Sequence, residues 1–240
     1  MTTLRLFFFL LASAPGCVFA GAWPRGDGNV FTALSLESTY DRSALTWDDP
    51  EEEPPLARNY LKFFAEYGLS PRYTLGVELE QDYLFTQRQG IAFVTGALSP
   101  IGAPTQIAVE MGVGQRNGRF GDNGSEDSEP VLRPAFYLGR GFETRWGPGW
   151  TAADLKTEYR VDSEESIYKL DLTLGVRPDD RTLYYGQFQN SKYPDADFAV
   201  RFLASRVSQL NRFMWLETGL IAGVVTDDSF GIKIGIWAEF

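Results

Sequence analysis

The sequence of 240 residues contains no histidine. That removes Ser-His-Asp hydrolysis, His-ligated zinc and most general-base chemistry near neutral pH. Cysteine is nearly absent: the single Cys17 lies in the N-terminal apolar run. Basic residues are scarce, with 22 Lys+Arg against 32 Asp+Glu and a net charge of −10. No basic patch is available to displace counterions from phosphates, so nucleic acid is excluded as a partner. Long hydrophobic runs are missing too. Beyond residue 20, no segment is apolar enough for a transmembrane helix.

The one apolar run is N-terminal. "MTTLR" is a short basic region, "LFFFLLASAPG" is an apolar core, and "VFA" places small or apolar residues where cleavage after Ala20 needs them. The run is too short to cross a bilayer as a helix and reads as a cleaved secretory signal, residues 1–20. Residues 21–240 are then a single domain. Processing before Cys17, as in a lipoprotein, is disfavoured by the Pro-Gly that precedes it and by the lack of a Leu three residues upstream. The expected mature chain starts at Gly21, has no Cys and gains nothing from an oxidising compartment.

What is present is alternation. In "TAADLKTEYRVD", Ala152, Asp154, Lys156, Glu158, Arg160 and Asp162 share one face of a strand, and Thr151, Ala153, Leu155, Thr157, Tyr159 and Val161 share the other. A helix would scatter those charges around its whole circumference. "IYKLDLTLGV", "YTLGVELEQDYLF" and "TQIAVEMGVGQ" separate in the same way. Twelve such stretches are expected, at 29–39, 59–67, 73–85, 91–98, 105–115, 131–143, 150–162, 166–176, 181–190, 197–207, 213–225 and 230–240. Four fit less cleanly. Residues 91–98 are apolar on both faces, 131–143 and 197–207 place Arg140 and Arg206 outward, and 181–190 works only if Gln187 and Gln189 face inward. Short turns such as "GLSPR", "RPDDR" and "SQLNR" alternate with connections that include the long acidic segments 40–58 and 116–130.

An up-and-down chain with tight turns at one end and long loops at the other is the pattern of a transmembrane β-barrel. The expected fold is therefore all-β, an antiparallel up-and-down barrel of about 12 strands with lipid outside and charge inside. A soluble sandwich or barrel with the opposite polarity is the competing architecture. Aromatics near the expected strand ends favour the membrane: Tyr67, Tyr73, Trp146, Trp150 and Phe240 at the turn side, and Tyr40, Phe85, Tyr159, Tyr168, Phe198 and Phe230 at the loop side. The final stretch "GIKIGIWAEF" resembles the terminal strand of Gram-negative outer-membrane barrels through Ile232, Ile234, Ile236, Ala238 and Phe240. The resemblance implies an outer-membrane location, lipid and lipopolysaccharide as surroundings, and the barrel-assembly machinery as the reader of that strand. "EYGLSPRYTLGVELE" also looks like the hairpins of uncharacterised barrels called putative transporters, some of them grouped with phenol-degradation clusters.

The inward positions supply the candidate site. Glu78, Glu80 and Asp82 on one strand, with Glu110 two strands away, form an acidic wall. Arg133, Lys156, Glu158, Arg160, Lys169 and Asp171 add mixed charge, and the Lys156/Glu158/Arg160 row against Lys169/Asp171 is the best candidate for cross-strand ion pairing. Two readings follow: a narrow pore for a small hydrophilic solute, a cation by preference, or a structural barrel plugged by its own ion pairs. A carboxylate-based outer-membrane enzyme is a remote third, because barrel lipases and proteases that use His have no counterpart here. No cofactor or metal is expected; "GDNGSEDSEP" lacks the spacing of a helix-loop-helix calcium site. The expected state is a monomer.

Overall fold

The computed structural model describes residues 21–46, 56–82, 87–119 and 126–240. Twelve strands run in chain order: β1 (Val30–Asp41), β2 (Arg58–Gly68), β3 (Tyr73–Asp82), β4 (Gln87–Ala97), β5 (Thr105–Arg119), β6 (Glu126–Thr144), β7 (Gly147–Arg160), β8 (Glu165–Asp179), β9 (Thr182–Lys192), β10 (Ala199–Gln209), β11 (Met214–Val225) and β12 (Ser229–Glu239). Each pairs antiparallel with its sequence neighbours, and β1 pairs with β12 to close the barrel. Every stretch expected from the alternation is a strand. The signal segment, residues 47–55 with the loop "DDPEEEPP", residues 83–86, Phe85 among them, and the first half of "GDNGSEDSEP" lie outside the described residues.

Closure is made by the last residues of the chain. Phe31 to Asp41 pair in register with Glu239 to Ser229. Val30 N–H donates to the Phe240 carbonyl at 3.1 Å, and Phe240 N–H donates back to Val30 at 3.0 Å. The Phe240 ring stacks on Phe213, with centroids 5.7 Å apart. With no free edge, the ladders close on one another around the barrel, as hydrocarbon surroundings require.

The tight turns are built from side-chain caps. Ser70 Oγ accepts from the backbone N–H of Arg72 and Tyr73 at 3.3 and 3.1 Å. Asn211 Oδ1 accepts from Phe213 and Met214 at 2.9 and 3.0 Å. Asp179 Oδ1 accepts from Arg181 at 2.8 Å. These short polar side chains bond their own backbone two or three residues on, which is why Ser, Asn and Asp recur there. The turns at 69–72, 145–146, 180–181 and 210–213 fall at the end that carries Phe240, the periplasmic end of such barrels, although the connections 161–164 and 226–228 at the other end are as short.

The outer face is inverted relative to a water-soluble protein. Forty large hydrophobics are exposed, against twelve buried ones, among the described residues. Leu34, Leu36, Leu79, Leu172, Phe188, Leu220 and Ile234 form the band, and Tyr67, Tyr73, Trp146 and Phe240 lie exposed at its turn end. Leaving that much apolar surface in water forgoes on the order of tens of kcal/mol at ~25 cal/mol per Å². The soluble alternative fails on this magnitude. Arg140 and Arg206 face outward as expected, and Gln187 and Gln189 face the lumen. Trp150 departs from expectation. It is 6% exposed and points inward, because it shares its face with Ala152 and Asp154.

Candidate functional site

Inside the barrel, charges form a bar across the lumen. Arg133 on β6 is fully buried. Its Nε donates to Glu110 on neighbouring β5 at 2.9 Å, and its Nη1 reaches Glu78 on β3 at 3.1 Å. Gly112 stands opposite Arg133 in the β5–β6 ladder, and a Cβ there would sit 2.9 Å from Ile91 and 3.3 Å from the Arg133 Cβ. The missing side chain makes the room that the arginine stem occupies. Tyr137 O–H donates to the second Glu110 oxygen at 2.7 Å. Lys62 on β2 bridges Glu78 and Glu80 at 3.3 and 2.8 Å, and Tyr60 O–H donates to Glu80 at 2.6 Å. Lys156 on β7 completes the bar, 3.8 Å from Glu78.

The acidic wall anticipated at Glu78, Glu80 and Glu110 therefore exists and is neutralised in place by Lys62, Arg133 and Lys156. Asp82 sits apart at the loop end of β3, accepting from Gln87 N–H at 3.1 Å. Arg160 is apart as well, held by Glu129 at 2.6 Å and Glu165 at 2.5 Å near the loop end of β7. The β7–β8 pairing also differs from expectation. The register sets Lys156 opposite Lys169 and Asp154 opposite Asp171, like against like. The ion pair that forms is diagonal, Lys169 to Glu158 at 2.6 Å, with Arg116 4.0 Å from Glu158 on its far side.

Asp154 and Asp171 are the exceptions in this economy of charge. Neither makes an ion pair within 4 Å among the described residues, and Asp154 Oδ1 is buried without a hydrogen-bond partner there. Both line a cavity of about 1490 Å³ in the lumen, which Lys62, Glu78, Glu80 and Lys156 of the charged bar also line. The cavity runs from Tyr40, Asp41, Asp197 and Asp228 at the loop end down to Trp23, Trp150 and Trp237. Eleven carboxylates and nine basic side chains line it, so its balance is acidic. No group of three or more acidic side chains among the described residues is placed to hold a metal ion.

Two features escaped the sequence reading. One is the Glu217 cluster. Glu217 is fully buried and accepts from Tyr185, from Ser205 at 3.0 Å and from Trp237 Nε1 at 3.0 Å, with Lys233 at 3.1 Å. Glu217 and Lys233 both line the lumen, and only the cross-strand register gathers their partners. The other is an apolar floor at the periplasmic end, where Trp150, Leu183, Val207 and Trp215 are buried against one another with Trp23, Tyr185 and Trp237 around them.

A closed antiparallel sheet, an apolar exterior and an ionic interior are thus in place. The fold is that of an outer-membrane β-barrel. The chain is similar to the KdgM porin, with a TM-score of 0.57, 8% identity, and coverage of 87% of this chain and 99% of that one. It also superimposes on the translocator domain of the autotransporter NalP from Neisseria meningitidis, with a TM-score of 0.48, 9% identity, and coverage of 90% and 89%. Outer membrane phospholipase A from Escherichia coli gives a TM-score of 0.49, 13% identity, and coverage of 86% and 89%. No family model matches the chain, and no curated protein matches it in sequence. As an outer-membrane barrel it meets lipid with the band that carries Leu34, Leu172 and Ile234, and encloses the charged bar.

Proposed function

We infer that this outer-membrane barrel passes small hydrophilic solutes, with a preference for cations, and does no chemistry on them. The observation that carries the reading is the cavity of about 1490 Å³, reached from the loop end and lined at depth by Asp154 and Asp171, neither of which makes an ion pair within 4 Å among the described residues. A positively charged solute gains more there than beside Glu78, Glu80 and Glu110, whose field is already offset by Lys62, Arg133 and Lys156. The acidic rim of Asp41, Asp197, Asp227 and Asp228 raises the local concentration of cations before they enter. The absence of His from the whole sequence supports the non-catalytic reading, since the common nucleophile-activating base is missing.

A second reading has its own observation. The packed floor of Trp150, Leu183, Val207 and Trp215 favours a structural barrel that passes nothing. Single-channel recording in planar bilayers under a salt gradient separates the two. Current steps with a reversal potential on the cation side are expected. Silence at all voltages, even with the floor loosened as described next, or an anion-side reversal, contradicts the reading.

A further inference from the structure

Residues 21–28, which precede β1, add no strand to the sheet. They turn into the periplasmic mouth of the barrel instead. Ala22 is 0% exposed and packs in one cluster with Ala108, Ala135 and Tyr137 of β5 and β6. Trp23 joins that cluster to the Trp150/Leu183/Val207/Trp215 floor contributed by β7, β9, β10 and β11. Its ring rests on Gly139: a Cβ at Gly139 would fall 2.2 Å from the ring. On the other side, Arg25 Nε meets Glu66 of β2 at 2.5 Å, and its guanidinium lies 4.2 Å over the Phe31 ring of β1. Arg25 N–H donates to Thr74 of β3 at 3.2 Å. The segment therefore touches nearly the whole inner circumference, at the level where the cavity ends on Trp23, Trp150 and Trp237.

We propose that residues 21–28 are a displaceable plug: seated, they close the lumen to the periplasm, and withdrawn, they open it. The proposal rests on the transport reading above and adds its gate. The way the segment is held suits a part that leaves. Its backbone ties to the barrel are few and gather at its C-terminal end, where Gly28 N–H donates to the Gly68 carbonyl at 2.9 Å. Ahead of Arg25 it is held by packing. Arg25 Nη2 is buried without a partner, a cost that the seated state alone bears. The barrel keeps all twelve ladders whether the segment is in or out, so withdrawal does not unfold it.

The test works from both sides of one contact. Chains starting at Gly21 are refolded in detergent, and heat-modifiable migration confirms the barrel. Trp23→Ala with Arg25→Ala weakens the plug, and Gly139→Ala pushes on the Trp23 ring from the wall without touching the segment. Both variants are expected to raise the mean bilayer current about tenfold or more over the unaltered chain, as a shift toward the open population requires. Ala22→Cys, protected from a charged thiol reagent in the otherwise unaltered chain, is expected to become reactive in either background. Equal currents in all three proteins overturn the plug, as does an Ala22→Cys thiol that reacts freely from the start. The transport reading is judged apart, by the reversal potential: an opened but anion-selective pore sustains the plug and sinks the cation preference.

Discussion

Replacing Arg133 with Leu destabilises the barrel by about 3–5 kcal/mol, the expected consequence of removing one partner from a buried ionic cluster. The loss falls unevenly. Glu78 keeps Lys62 at 3.3 Å and Lys156 at 3.8 Å. Glu110 keeps only neutral donors, Tyr137 O–H at 2.7 Å and Thr95 O–H at 3.4 Å. The damage is therefore an orphaned Glu110 charge, and adding Glu110→Gln to Arg133→Leu restores about half of it or more, since a neutral amide needs no counter-charge. Urea unfolding in lipid vesicles measures both. The comparison is Arg42→Ala, whose Asp228 partner is 4.0 Å away with side chains 52% and 77% exposed; that variant stays within about 1 kcal/mol. A single Arg133→Leu variant as stable as Arg42→Ala contradicts the picture of a dry ionic bar.

The double variant Asp154→Asn/Asp171→Asn lowers cation-over-anion permeability about tenfold, a change of about 1.4 kcal/mol. On the transport route proposed above, Asp154 and Asp171 stand opposite each other with no ion pair within 4 Å among the described residues, and a cation about 4 Å from one ionised carboxylate gains up to about 4 kcal/mol at an effective dielectric of about 20. Mobile counterions and nearby Lys156 take back part of that gain. Asn keeps the shape and removes the charge. Glu78→Gln, by contrast, changes stability more than selectivity, because its charge is spent on Lys62, Arg133 and Lys156. Reversal potentials in the plug-loosened background measure the effect, and an unchanged permeability ratio rejects the assignment of Asp154 and Asp171.

The strands were legible because a barrel spanning lipid enforces period two on every segment, and a one-residue slip would turn its charges into the acyl chains. Leu172 and Phe188 outward, with Asp171 and Gln187 inward, follow from that rule alone. Register was not legible, since it depends on turn lengths. The like-charge pairs Asp154/Asp171 and Lys156/Lys169, and the diagonal bond to Glu158, appear only once β7 and β8 are aligned. The floor was hidden for another reason. Trp150, Leu183, Val207 and Trp215 are apolar residues on the inward face, near strand ends where aromatics are expected to meet lipid headgroups. Residues 21–28 carry no periodicity at all, so their seat on Gly139 could come only from three dimensions.

The account depends most on which side of each strand faces water. Gln187 and Phe188 are consecutive on β9; the first lines the cavity and the second is 46% exposed on the outer face. In chains starting at Gly21, which contain no other Cys, Gln187→Cys and Phe188→Cys can be reconstituted in liposomes and treated with a charged, membrane-impermeant thiol reagent. Labelling of the Gln187→Cys protein and protection of the Phe188→Cys protein is the predicted result. A reactive thiol at 188 beside an inert one at 187 would turn the barrel inside out and contradict the whole account.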